Sequence, residues 1–515
     1  YIIHPLLLFL FVGASRLGVR IFKHVLHSSF LNISDLKKVI LLGAGDAGEM
    51  ILRESQRHPE YGHKVIGFVD DDVKKINRHI HGVKILGSIN KLPKIVKGKY
   101  IDEIIIAVPS ATREEMRRII NLCNETKVPY KIIPSLSDLI GGKVSFSQIR
   151  KVEVEDLLSR EEVKLDLEKI SHYISGKKVL ITGAGGSIGS ELCRQLIRFN
   201  PKQLILFGRG EFSLYNIEGE LREKYPSVAL VPVIGNIKDK ERTRAVLAYY
   251  KPQVIFHAAA HKHVPLMEIN PCEAIKNNVV GSRILMEAAE DYGVKYFVLI
   301  STDKAVNPTS FMGVSKKMAE LLLQAMAMAK GSKCRFSAVR FGNVLESRGS
   351  AIPLFKKQIE RGDSLTITDS RASRYFMTTS EAAQLVIQAG VMGQGGEIFV
   401  LDMGDPVKII DLARDLIRLS GFEPEADIKI KITGLRPGEK LYEELVAEEE
   451  KVQATQHEKI LIIKPNKVEV EKLSEAVKDL ERLAVEEDIQ GLVKKIREIV
   501  PEFNHQSHIK EGEGK

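Results

Sequence analysis

Twice in this chain an apolar run breaks into closely spaced glycines and then into a helix-forming stretch. That pairing restricts the fold more than any other feature. The first instance is Lys37-Lys38-Val39-Ile40-Leu41-Leu42 followed by Gly43, Gly45 and Gly48; the second is Lys177 to Ile181 followed by Gly183, Gly186 and Gly189. A short run with apolar side chains at successive positions suits a strand buried on both faces, which a parallel sheet covered by helices provides. Glycines let the backbone turn sharply and come close to a ligand, and the helix amino terminus that follows attracts an anion. Each instance therefore predicts the opening of a doubly wound α/β domain.

The rest of the chain divides accordingly. Strands are expected at Val65–Val69, ending in Asp70-Asp71-Asp72, at 104–109 and at 130–134, with helices over 49–57 and 113–126. A carboxylate at the end of the second strand, about 20 residues past the glycines, fits a dinucleotide fingerprint. Residues 31–145 are thus read as a small Rossmann-like domain, and the charged, mixed stretch 146–175 as a linker. A second alternating series has strands at Leu204–Phe207, Ala229–Ile234, Val254–His257, Tyr296–Ile300 and Phe336–Arg340. It defines a domain over 176–460, followed by a helical region and tail over 461–515, with disorder expected from Pro501. The expected fold is therefore α/β, two Rossmann-like doubly wound parallel sheets, the second with a smaller C-terminal substrate-binding part.

At the amino end, residues 2–12 are apolar apart from His4, and Arg16, Arg20 and Lys23 follow. The run is shorter than the roughly 20 residues that span a bilayer. A surface helix or a signal-peptide core would fit; the preferred reading of residues 1–30 is the end of a membrane segment whose basic flank faces the cytoplasm. Lys and Arg total 76 against 67 Asp and Glu, a net charge of +9, but they are scattered among acidic residues. Nothing there forms the basic stripe of a nucleic-acid binder, and none is expected as a partner. The four cysteines are far apart with no C-x-x-C pair, which suits reduced thiols and excludes a zinc or disulfide framework.

Within the second domain, Gly183, Gly186, Ser187, Ile188 and Gly189 form the candidate pyrophosphate loop. NAD enzymes carry an acid at the end of the next strand, where this chain has Gly208-Arg209. Removing the acid and supplying a guanidinium suits a 2′-phosphate, so NAD and NADP both stay open; Arg209 could equally stack on adenine or face solvent. Asn236 and Ile237 are placed for adenine, and Ala258, Ala259 and Ala260 for close passage beneath the cofactor. The most telling segment is Thr302-Asp303-Lys304, directly after the strand Tyr296–Ile300. A carboxylate and an amine at a strand's carboxyl end lie where open α/β sheets hold ligands. Met312 and Lys316 have Tyr-x-x-x-Lys spacing with methionine in the tyrosine's place.

These segments occur in order with Glu211-Phe212-Ser213, His257 to Pro265, Arg340-Phe341-Gly342-Asn343, Arg374-Tyr375-Phe376-Met377 and Gly434 to Lys440. Together they resemble the polysaccharide-biosynthesis branch of the extended short-chain dehydrogenases, whose members are membrane-attached UDP-N-acetylglucosamine 4,6-dehydratases. The resemblance implies a tightly held NAD or NADP regenerated in each turnover and a UDP-N-acetylglucosamine-like substrate. It also implies a homo-oligomer at the inner membrane with its catalytic domain in the cytoplasm. Oxidation at C4, loss of water across C5–C6 and hydride return to C6 need an acid and a base. Asp303 is the expected acid, its pKa raised, and Lys304 the expected base, its pKa lowered. Thr302 is expected at the C4 hydroxyl and Lys316 at the nicotinamide ribose. Lys262, Asn343, Ser347, Arg348, Arg436 and Glu439 are the candidate substrate-binding residues. The three histidines His257, His261 and His263 call for no metal. Methionine at 312 is usual in the long membrane-attached members, which points to retention at C5. Gly208, and Glu346 where glycine is common, depart from the pattern. The alternatives are a C5-inverting dehydratase, a UDP-sugar 4-epimerase and, outside enzymes, a nucleotide-sugar-sensing regulatory module.

Overall fold

In the computed structural model, residues 36–133, 149–157, 163–345, 347–464 and 469–505 are described. The expected membrane segment, Glu346 and the end of the tail lie outside them. Among the described residues no helix is long and apolar enough to cross a membrane. The chain forms two compact units that meet in sequence near residue 161.

The first unit is a four-stranded parallel sheet in the order β2-β1-β3-β4, with β1 at Lys37–Leu42, β2 at His63–Val69, β3 at Glu103–Ile106 and β4 at Tyr130–Ile132. Its core is the fully buried run Val39–Leu42 packed with Ile104–Ile106, as the unbroken apolar pattern predicts. Gly43 turns with φ +104, and a Cβ there would stand 2.5 Å from the Ala107 carbonyl oxygen. Asp70, at the expected acidic position, accepts a 2.6 Å bond from the Ala44 amide in the glycine loop. Arg150 joins this unit, since its backbone bridges Ile132 and its guanidinium holds both oxygens of Asp156 at 2.8 Å.

The second unit is built on nine strands, β5 at Lys178–Thr182, β6 at Gln203–Gly208, β7 at Leu230–Ile234, β8 at Val254–His257, β9 at Tyr296–Ile300, β10 at Arg335–Arg340, β11 at Ile398–Leu401, β12 at Val452–Ala454 and β13 at Ile460–Ile463. Their spatial order is β12-β13-β11-β10-β9-β8-β5-β6-β7, with β12 and β13 antiparallel at one edge. The chain winds outward from β5 in both directions, so a crevice opens between the carboxyl ends of β5 and β8, where strand order reverses. Helices cover both faces. Helix Leu167–Ile174, from the expected linker, packs through Ile170, Tyr173 and Ile174 into one core layer, so the linker is divided between the units.

The other layer takes in the C-terminal region, helical as its pattern predicts. Helices Val470–Val485 and Ile489–Ile499 bury Val477, Leu480, Leu492 and Ile496 against the second unit's own core. The chain stays ordered past Pro501: Phe503 is buried with its ring 5.8 Å from that of Phe311. His505 meets Glu268 at 2.7 Å. An aromatic side chain overrides the charged composition around it.

Candidate active site

The glycine loop is built for close approach. Gly183 has φ +65, and a Cβ on it would lie 2.8 Å from the Ala259 amide nitrogen. A Cβ on Gly189 would lie 2.1 Å from the Gly183 carbonyl oxygen. Helix α1 of this site, Ser187–Leu196, starts within the glycine loop, with Gly186 as a cap that offers no side-chain acceptor. Its amino-terminal amides are thus uncapped by any side chain and suit a pyrophosphate. Gly183 and the 258–260 segment are held in place by a chain of hydrogen bonds. The Ala259 amide donates to Thr182 Oγ1 at 3.3 Å, Thr182 Oγ1 meets His257 Nδ1 at 2.7 Å, and His257 Nε2 meets Ser282 Oγ at 2.9 Å. Both ring nitrogens of His257 are spent inside the fold. Burial, with help from the Lys316 charge, pushes its pKa down to about 3.

Around this floor, Ile237 is buried beneath Gly281, and Asn236 accepts from the Lys238 amide at 3.1 Å. Arg209 is exposed just past β6, close enough for its charge to act on His261. The backbone of His261 is pinned at both ends by the Asn278 amide, at 2.8 and 2.9 Å. Arg348 is exposed, and its amide donates to Ser187 Oγ at 3.2 Å, which places the 347–350 turn over the glycine loop. Ser347 is buried at the base of that turn.

The catalytic candidates come together as the sequence suggests. Thr302 caps a short 3-10 turn, Asp303–Ala305, straight after β9. Asp303 is fully buried. Its Oδ1 accepts from Thr302 Oγ1 at 2.8 Å and from Lys304 Nζ at 3.0 Å, whereas its Oδ2 has no hydrogen-bond partner. Asn343 Oδ1 also accepts from Lys304 Nζ at 3.0 Å. Met312 and Lys316 lie buried on helix α2, Phe311–Met328. Burial brings the pKa of Lys316 down to about 8 against the opposing pull of Glu320. Lys262 is exposed at the rim; partial desolvation and the Lys304 charge lower its pKa.

Lys304 departs from expectation. Burial alone would lower its pKa, but the charges of Asp303 and then Glu443 outweigh that and raise it. In this arrangement Lys304 is an ammonium, not a free amine.

Glu443 is the group the sequence reading missed. It belongs to the loop after Arg436, which docks on the 303–310 turn: Thr309 Oγ1 donates to the Gly438 carbonyl at 3.1 Å, Lys440 Nζ to that of Val306 at 2.8 Å, and Asn307 Nδ2 to Glu444 Oε2 at 2.8 Å. Docking carries Glu443 to 3.4 Å from Lys304 Nζ and 3.7 Å from Arg374 Nε. Glu439 is committed to the protein: it accepts from Thr368 Oγ1 at 2.9 Å, from Arg374 at 3.1 Å and from the Arg436 amide at 3.3 Å. It shapes the turn that presents the exposed Arg436. Nothing in the string Tyr442-Glu443-Glu444 marks the first glutamate as buried and the second as exposed. Only the docking separates them.

Comparison with known proteins agrees with this geometry. Residues 179–465 match the family model described as "Polysaccharide biosynthesis protein", and residues 2–134 match one described as "CoA-binding domain". The chain is 46% identical to the capsular polysaccharide biosynthesis protein CapD of Staphylococcus aureus, over 87% of this chain and 75% of that protein. It is 35% identical to a UDP-N-acetylglucosamine 4,6-dehydratase (inverting) of Campylobacter jejuni, over 57% of this chain and 84% of that protein. The crystal structure of Pen from Bacillus thuringiensis superimposes with a TM-score of 0.53 at 35% identity, covering 57% of this chain and 90% of that one. On the match over residues 179–465 and the likeness to CapD, this chain belongs to the polysaccharide-biosynthesis family of short-chain-dehydrogenase-type nucleotide-sugar enzymes.

Proposed function

We propose that the chain is a UDP-N-acetylglucosamine 4,6-dehydratase that retains configuration at C5. The observation that carries this reading is the ion pair of the half-buried Lys304 with the fully buried Asp303 at the carboxyl end of β9, with Asp303 Oδ2 unpartnered. A carboxyl that is buried and half unsatisfied suits a proton donor, and Met312 has no proton to exchange.

The glycine loop and the 258–260 segment leave room for a dinucleotide that a Cβ would fill. NAD or NADP bound there supplies hydride acceptance from C4 and hydride return to C6. Gly183, Gly186 and Gly189 hold its pyrophosphate, and Lys316 its nicotinamide ribose. Thr302 meets the C4 hydroxyl. Its own hydroxyl already donates to Asp303 Oδ1, so the proton released at C4 has a path to Asp303. Asp303 then gives a proton to the departing 6-hydroxyl, and the proton count closes with one water released. Lys304 takes the C5 proton and returns it to the same face. Lys262, Asn343, Arg348 and Arg436 bind the UDP-sugar, Arg436 as a planar donor fork to the diphosphate. In this reading the apolar run at residues 2–12 is the end of a membrane segment, with the catalytic unit on the cytoplasmic side.

Incubation with UDP-N-acetylglucosamine and identification of the product tests this. A 6-deoxy-4-keto sugar with unchanged C5 is expected. The inverted C5 product would favour the reading set by the Campylobacter relative, and an intact 6-hydroxyl with an altered C4 would make the enzyme an epimerase.

A further inference from the structure

A lysine held as an ammonium between two carboxylates is a poor base, so the site must have somewhere to put the lysine's proton. Glu443 has the geometry for it. Its side chain is 3% exposed, its Oε1 faces Lys304 Nζ at 3.4 Å, and its Oε2 has no hydrogen-bond partner. The surrounding charges leave Glu443 open to the lysine. Asp303 and Glu443 flank Lys304, at 3.0 and 3.4 Å. Arg374 stands 3.7 Å from Glu443 but is shared with Glu439 at 3.1 Å. Lys440 is turned to Glu444, at 3.8 Å, and Lys262 lies beyond Lys304. Burial disfavours the charges of Lys304 and Glu443 alike, and passing the Nζ proton to Glu443 removes both at once while the net charge of the group stays the same. Burial raises the pKa of Glu443 against the pull of Lys304, Arg374 and Lys440.

Resting on the dehydratase reading, we propose that Glu443 takes the Nζ proton of Lys304 when substrate is bound, leaving a neutral amine that accepts the C5 proton. The N–H bond of Lys304 breaks as an O–H bond forms on Glu443, and no electrons change hands. The amine then takes the C5 proton as the C5–C6 double bond forms and the 6-hydroxyl leaves with a proton from Asp303. When C6 has received its hydride, Lys304 returns the proton to C5 and Glu443 returns its own to Lys304. Glu443 acts through Lys304 and is a positioning residue that sets its charge.

The test compares the parent with Glu443→Gln, Glu443→Asp and, as a control, Glu448→Gln at an exposed position further along the same loop. Glutamine keeps the shape and cannot take the proton. With Glu443→Gln, exchange of the C5 proton with deuterated solvent and kcat should both fall by about 10²–10⁴-fold. KM for UDP-N-acetylglucosamine and the bound dinucleotide should stay as in the parent. Its residual rate should climb with pH, because Lys304 then loses its proton to solvent. Glu443→Asp should recover part of the rate with the parent's pH profile, and Glu448→Gln should match the parent. The proposal is overturned if Glu443→Gln keeps the parent's rate and pH profile. It is equally overturned if the loss lies in KM with no change in the profile, or, should that variant not fold, if Glu443→Asp shows an alkaline-shifted profile. A parent that forms no dehydrated product refutes the dehydratase reading itself, before any variant is compared.

Discussion

His257 gives the catalytic unit a defined sensitivity to acid. The imidazole is 1% exposed. Ser282 Oγ donates to the Asn278 carbonyl at 2.7 Å, so at 2.9 Å it receives the His257 Nε2 hydrogen. Nδ1 is then the acceptor for Thr182 Oγ1 at 2.7 Å. A second ring proton would have to displace the hydrogen that Thr182 Oγ1 donates to Nδ1. Burial, then Lys316, brings the folded pKa to about 3, whereas an unfolded histidine titrates near 6.5. Between those values the unfolded chain holds a proton that the folded chain refuses. Stability therefore rises with pH across the window and is lost as pH falls from about 6.5 towards about 3. At about pH 4.5 the loss is about 2.7 kcal/mol, two pKa units at about 1.4 kcal/mol each. Urea unfolding followed by circular dichroism, for the parent and for His257→Gln, measures it. Glutamine does not titrate, so the variant should start less stable by about 1–3 kcal/mol through its altered hydrogen bonds. That deficit should shrink as the pH falls. Two stability curves that run parallel between pH ~6.5 and ~4.5 would refute the neutral, doubly engaged imidazole.

Other consequences are as direct. Gly189→Ala places a Cβ against the Gly183 carbonyl oxygen, 2.1 Å away, and should abolish retention of a bound dinucleotide; nucleotide released on denaturation reports it, and parent-level occupancy would contradict the cradle. Arg340 is fully buried between Glu320 and Glu450, at 2.8 and 2.7 Å, so Arg340→Met leaves buried Glu320 without its cation and Glu450 with Lys317 alone, 3.5 Å away. It should cost about 3–5 kcal/mol by denaturant unfolding, and a loss under about 1 kcal/mol would contradict the ion cluster. Asp303→Asn should lower kcat by about 10²–10⁴-fold with the dinucleotide still bound. Met312→Ala should cost far less, because its thioether only packs, and the reverse ranking would reassign the proton chemistry.

The sheet was legible because its strands are continuous apolar runs. Val254–His257 and Tyr296–Ile300 fall where the pattern puts them, and Leu204–Phe207 and Phe336–Arg340 grow by one or two residues at their ends. The catalytic turn was legible because a charged pair directly after such a strand has few places to go. What the sequence hides is contact between distant segments. Glu443 meets Lys304 only because Thr309, Lys440 and Asn307 hold one loop on another. That contact reverses the expected shift of Lys304, since the lowering by burial was foreseeable and the second carboxylate was not. The tail followed the same rule: Phe503, amid polar residues, finds Phe311 across the fold.

The central claim is that hydride leaves C4 and returns to C6 of one sugar while Asp303 and Lys304 move protons. UDP-N-acetylglucosamine carrying deuterium at C4 tests it most directly, with the product examined by nuclear magnetic resonance and mass spectrometry. The account predicts a 4-keto sugar whose C6 methyl holds that deuterium, and C5 hydrogen exchangeable with solvent only while Lys304 is present. Deuterium found again at C4 of a sugar with its 6-hydroxyl intact, or a substrate recovered unchanged from dinucleotide-loaded enzyme, would contradict it.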